Sequence, residues 1–131
     1  MTRLVDRDRS LEELESERWP APPVGASRLV ATVHALRRRP IGRLSVEDMR
    51  LLIGQDVGLR HLLPLALEVL RDDPMAEGDL YEGDLLSAVV TRDPAVWNER
   101  PELGRELGVI VSGLTDLPPS LAREAAGFLA R

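Results

Sequence analysis

The chain has no cysteine, no lysine, only two histidines and only four aromatic residues, Trp19, Tyr81, Trp97 and Phe128, in 131 positions. Without cysteine there can be neither disulfides nor thiolate zinc sites, and a reducing compartment, the cytoplasm, is the expected location. Without lysine there is no phosphate-binding Gly-x-x-x-x-Gly-Lys loop. All 17 basic residues are arginine, which with the abundance of Ala, Gly and Pro is the composition expected of a GC-rich bacterial genome. The shortage of aromatics leaves leucine, valine and alanine to fill the interior. It also gives a sugar-binding cleft little to stack on. His34 and His61 stand apart, with no His-Glu-x-x-His spacing and no Gly-x-Ser-x-Gly elbow, so each is expected to be a partly buried structural histidine. No run of about 18 apolar residues could span a bilayer, and the N-terminus lacks the apolar core of a signal peptide. No membrane role is expected.

Charge is unevenly placed. The formal net charge is -5, which disfavours direct nucleic-acid binding, since such binding neutralises phosphates with basic side chains. From Arg18 to Val46 there are six arginines and no acid, whereas from Glu68 to Glu106 eleven acids face four arginines. Arg37 to Arg39 form a basic run before Pro40, at a helix C-terminus where cations meet the helix dipole favourably. That run could also hold phosphates or pair with the acidic half.

Apolar spacing of three and four, with few strand-like runs, predicts an all-α chain: a compact single-domain bundle of about six to eight short helices. The domain is expected to span 1–131, with 1–9 flexible. Ser10 with Glu13 and Ser45 with Asp48 have the spacing of capping boxes, and Leu44 and Met49 that of a hydrophobic staple. A second helix is expected from Ser27, with Leu29, Val33 and Leu36 on one face and Val30 beside them. The run from Leu59 to Leu70 is apolar nearly all round and belongs in the middle of the bundle, with Pro64 expected to kink it unless it falls in the first turn. Asp93 and Pro94 open a short helix. Gly104 and Gly108 form a small-xxx-small pair that would let helices pack closely, and Leu121, Ala125 and Phe128 mark the last amphipathic helix.

The candidate functional stretch is "EGDLYEGDLL", Glu77 to Leu86, in which Glu-Gly-Asp-Leu occurs twice. Six carboxylates fall between Asp72 and Asp84 with no basic residue among them. A calcium loop needs oxygen ligands at positions one, three and five. Starting from Asp79, Asp72 or Asp73, the third position is Tyr81, Pro74 or Met75, so no metal or other cofactor is expected. Asp79, Glu82 and Asp84 could converge as an acid pair for a small hydrolase, but a solvated acidic face accounts for them more simply. Asp79 with Glu82 also has cap spacing, and Asp84 can cap the helix that buries Leu85, Leu86 and Val89. Two uses remain open for the other charge: solubility, or docking of a basic protein. For docking, the candidate residues are Asp72, Asp73, Glu77, Asp79, Tyr81, Glu82 and Asp84, with Trp97 as a second aromatic anchor.

The sequences "LEELESERWP" and "VHALRRRPIGRLSVEDMRLLIGQDVGLRHLLPLALEVLRDDPMAEGDLYEGDLLSAVV" resemble the helical immunity proteins of bacterial contact-dependent growth inhibition systems. The resemblance covers Leu11 to Val90 and fades after Asp93. It implies a cytoplasmic, non-enzymatic protein that binds and blocks a cognate toxin domain, of a type often represented by nucleases with basic surfaces. No binding residues carry over from it. A monomer is expected, and the alternatives are a helical adaptor without a toxin partner or, further off, the carboxylate-dependent hydrolase.

Overall fold

Side chains that reach back to their own backbone set where the first helices begin. In the computed structural model, which describes residues 6–131, Ser10 Oγ accepts from the Glu13 amide at 3.2 Å while Glu13 Oε1 accepts from the Ser10 amide at 3.1 Å. This box opens α1 (Leu11–Leu14). Ser27 Oγ accepts from the Val30 amide to open α2 (Arg28–Leu36). A 3-10 turn (Ile41–Arg43) leads to the second box, Ser45 with Asp48, and α3 (Val46–Gly54). Leu44 and Met49 are both buried beside it, as a staple requires. The remaining helices are α4 (Leu59–Asp72), α5 (Asp84–Val90), α6 (Pro94–Glu99, capped by Asp93), α7 (Pro101–Ser112) and α8 (Pro119–Leu129). No strand forms among the described residues, only an isolated bridge between Ser10 and Pro40.

Helices α4 and α5 occupy the middle. α4 buries Leu62, Leu63, Leu65, Ala66, Leu67 and Leu70, and packs on α3, α5 and α7. α5 is buried on almost every side between α3, α4 and α8. Pro64 is the sixth residue of α4, beyond the first turn, so the Arg60 carbonyl loses its usual intrahelical donor. Arg100 turns its guanidinium toward that carbonyl, at 3.4 Å, and supplies part of what is missing. Among the described residues, no helix is long and apolar enough to cross a membrane.

Several details depart from expectation. Leu29 and Val30 are 40 % and 39 % exposed, because α2 packs on α3 with Val33 and Leu36 buried and, among the described residues, its first turn is left uncovered. Arg37 does stand at the C-terminus of α2, as its C-cap, but it is not solvated. It is 1 % exposed, donates to Glu15 Oε1 at 2.9 Å and to the Glu17 carbonyl at 3.0 Å, and lies over the Trp19 ring at 4.1 Å. Arg39 pairs with Asp48, so neither arginine reaches into the acidic half. Of the two helix glycines, Gly104 is packed, since a Cβ there would lie 3.3 Å from Trp97 Cβ, while Gly108 faces open space. The stretch expected to be flexible, 1–9, falls at 1–5 outside the described residues. Its remainder is tied down where the amides of Ile41 and Gly42 donate to the carbonyls of Arg9 and Arg7.

Candidate protein-binding surface

The acidic stretch forms the connection between α4 and α5, and its shape comes from inside. Ala76 is buried, and the Gly83 amide donates to the Met75 carbonyl at 3.2 Å, closing the segment into a loop. Gly83 then starts α5 with φ at +88°, in the left-handed region that a glycine enters without steric cost. The expected cap pairing of Asp79 with Glu82 does not form, and Gly83 takes the capping position instead.

Asp84, the first residue of α5, is 2 % exposed. Its carboxylate reaches back and accepts from the amides of Gly78 at 2.6 Å, Leu80 at 3.0 Å and Tyr81 at 3.4 Å. Glu47, from the first turn of α3, accepts from the Asp79 amide at 2.8 Å. Four successive backbone amides, 78 to 81, are thus held by two carboxylates from two helices. Arg50 sits between those carboxylates, bonded to Glu47 at 2.5 and 2.6 Å and 3.7 Å from Asp84. Its hydrogen bonds hold the Glu47 carboxyl below the ordinary range against the opposing push of burial, with the Asp79 amide adding to the effect. The guanidinium is raised in turn, chiefly by its bond to Glu47. Gly78 lets the carboxylates come close, since a Cβ there would lie 2.5 Å from Glu47 Oε1 and would displace that carboxylate.

The two copies of Glu-Gly-Asp-Leu therefore do different work. In the second copy, Asp84 is the internal clamp and Leu85 is fully buried. In the first, Asp79 faces water and Leu80 is 63 % exposed beside Tyr81 at 48 %. Asp72, Asp73, Glu77 and Glu82 are exposed as well. None of these five exposed carboxylates forms an ion pair among the described residues, where ten other pairs do form.

Two residues named from the sequence are absent from this outer surface. Asp84 is spent on the loop's own amides. Trp97 is 2 % exposed in α6, edge-on to Phe128 of α8 at 5.6 Å, and offers no docking anchor in this conformation. The physical reason is local: a six-residue helix whose only large apolar side chains are Val96 and Trp97 is held to the protein by burying them. Leu80, by contrast, went unnoticed, because nothing local distinguishes it from Leu85 in the same phrase.

The geometry does not bring Asp79, Glu82 and Asp84 together, since Asp79 and Glu82 are exposed while Asp84 is turned inward. Among the described residues no group of three or more His, Asp or Glu could hold a metal ion. His34 packs edge-on against Trp19 at 5.0 Å, and burial lowers the pKa of His61; neither adjoins the loop in sequence.

What the fold and this surface define is a small all-α protein whose candidate site is a displayed loop instead of an assembled cleft. The sequence fixes its family. A family model of contact-dependent growth inhibition (CDI) immunity proteins matches residues 13–107, and the chain belongs to that family. The match takes in the whole of the acidic loop and the α3 residues that hold it. A comparison with curated proteins finds no match.

Proposed function

We propose that this protein neutralises the toxin domain of its own CDI system in the cytoplasm, by stoichiometric association and without catalysis. The outer face of the 72–84 loop meets the toxin. The observation that carries the reading, beside the family, is the set of five exposed carboxylates, Asp72, Asp73, Glu77, Asp79 and Glu82, unpaired among the described residues and on the same loop as exposed Leu80 and Tyr81. Unpaired charge of one sign steers a partner of the other sign, and a large side chain within it supplies contact area. The partner is accordingly a basic protein surface. A nuclease fits, because carboxylates can occupy ground that otherwise holds phosphates. The protein acts as a monomer.

The direct test is co-expression with the toxin domain encoded beside it, scored as rescue of growth, followed by co-purification. Association is then measured against salt for the parent and for Asp72→Asn, Asp73→Asn, Glu77→Gln combined. The triple variant should associate about tenfold more slowly at low salt and show a flatter salt dependence. If it associates like the parent at low salt, the acidic face is not the docking face. No rescue and no complex would leave a helical adaptor with some other partner.

A further inference from the structure

We infer that Glu47, Arg50 and Asp84 are positioning residues that fix the loop before any partner arrives, and that Leu80 and Tyr81 are the apolar prong this loop presents to a cation-rimmed apolar pocket on the toxin domain. This rests on the toxin-binding reading above and goes beyond it by separating the residues that hold from those that touch.

The holding part is visible in the hydrogen bonds. Every amide from Gly78 to Tyr81 donates to a carboxylate rooted in a helix, those of Gly78, Leu80 and Tyr81 to Asp84 and that of Asp79 to Glu47. Arg50, bonded to one carboxylate and 3.7 Å from the other, offsets one of their two charges from within. The pair therefore adds less to the outer acidic field than its two charges would alone. A loop needs no such device merely to connect two helices, since a few turn bonds are enough for that. Fixing a loop in its bound shape removes the ordering cost that association would otherwise carry, and its effect is felt in affinity.

The touching part is what the fixed backbone displays. A lone exposed leucine is ordinary on any protein surface. Here Leu80 at 63 % and Tyr81 at 48 % exposure are adjacent on a stretch whose backbone is held at every residue. Glu77, Asp79 and Glu82 lie within three positions of that pair and are exposed. The complementary surface is then a pocket with an apolar floor and arginine or lysine at its rim. A nucleic acid or an anionic membrane would be repelled by the same three carboxylates.

Division of labour gives the two parts separate kinetic signatures. The prong resists dissociation, while the outer carboxylates speed encounter. With the full chain and the purified toxin domain, Leu80→Ala and Tyr81→Ala combined should raise koff by about 30-fold or more, the range of an interface hot spot, with kon nearly unchanged. Glu47→Gln should speed hydrogen exchange at amides 78 to 81 in the free protein and raise koff. In the background of the cut prong it should raise koff no further, because a positioning residue acts through what it positions. Asp84→Asn is a second probe of the same amides should Glu47→Gln unfold the chain. A koff within twofold of the parent for the prong variant, with the parent still binding, overturns this inference alone. Unchanged exchange at 78 to 81 in both clamp variants overturns the positioning role. A parent chain that does not bind the toxin domain overturns the proposed function, and the docking role with it.

Discussion

The doubled phrase Glu-Gly-Asp-Leu permits an internal control that few sequences offer, in which one substitution is made twice in the same local context. Leu85 is fully buried in α5 and Leu80 is 63 % exposed. Truncating a buried leucine to alanine costs about 2–5 kcal/mol, according to how far its surroundings collapse into the space. An exposed side chain without partners costs within about 0.5 kcal/mol. Leu85→Ala should therefore lower stability by at least about 2 kcal/mol while Leu80→Ala leaves it where it was. The aspartates behave in parallel. Asp84→Ala strands three amide donors and leaves Arg50 with one carboxylate fewer, a loss of at least about 1.5–3 kcal/mol, the range for a single hydrogen bond to a charged group. Asp79 accepts no hydrogen bond from another side chain or amide among the described residues, and its truncation should change stability by less than about 0.5 kcal/mol.

Urea unfolding followed by far-ultraviolet circular dichroism measures all four variants. With a slope of about 1.5–2 kcal/mol/M, Leu85→Ala should move the midpoint down by about 1–3 M, against a total stability of about 5–15 kcal/mol for a domain of ordinary size. Equal midpoints for Leu80→Ala and Leu85→Ala would refute the assignment of inner and outer copies, and with it the display of Leu80. The stability measurement also protects the binding test, since a Leu80 variant that folds like the parent can only lose contact with a partner.

Four further expectations follow from other parts of the fold. Gly58→Ala and Gly25→Ala both force an alanine to positive φ, at +68° and +83°, but only at Gly58 would the new Cβ meet anything, the Leu11 side chain at 2.6 Å; thermal melts should show Gly25→Ala losing about 1–2 kcal/mol and Gly58→Ala about 1–3 kcal/mol more. Burial depresses the His61 pKa below its ordinary 6.5, so the unfolded chain binds the extra proton first and stability falls as pH drops below about 6.5 toward the folded value; His61→Gln should flatten that part of a stability–pH curve. Glu47, depressed by Arg50, contributes stability above its ordinary 4.5 that is lost as pH falls through the lower folded value, and Glu47→Gln should flatten the curve there and nowhere else. Deleting residues 115–131 uncovers α5 and Trp97 together, and the product should lose cooperative unfolding in calorimetry and bind a hydrophobic dye.

What the sequence made legible was local. The caps at Ser10, Ser45 and Asp93 join a side chain to an amide two or three residues on, so local sequence announces them. The leucines of α4 placed that helix against the core, but it is not apolar all round, since Arg60, Glu68 and Arg71 keep one stripe of it in water. The failures share a different cause. That Arg37 would be buried depended on Glu15, Glu17 and Trp19, about twenty residues away. That Glu47 would hold the Asp79 amide depended on a contact across 32 positions. Leu29 and Val30 fit the apolar face of α2, but periodicity says which side of a helix can be covered and not how much of it will be. For Trp97 a signal was present, since so short a helix has little else to bury.

The loop separates the groups that fix its shape from those it displays. All that fixes its shape points inward: the backbone amides, the carboxylates of Glu47 and Asp84, the guanidinium of Arg50, and the two glycines, one admitted for its φ and one for its closeness. All that points outward, from Glu77 through Asp79, Leu80, Tyr81 and Glu82, contacts no other part of the described protein strongly enough to be needed for folding. Replacing an outer side chain leaves the clamp intact, because the clamp holds main-chain atoms and is indifferent to the residue they carry. The same frame can then present a different charge pattern or a different prong at little cost in stability. In an inhibitor that must match one partner and ignore others, specificity is a difference between affinities, and a frame of this kind allows that difference to be retuned without refolding the protein.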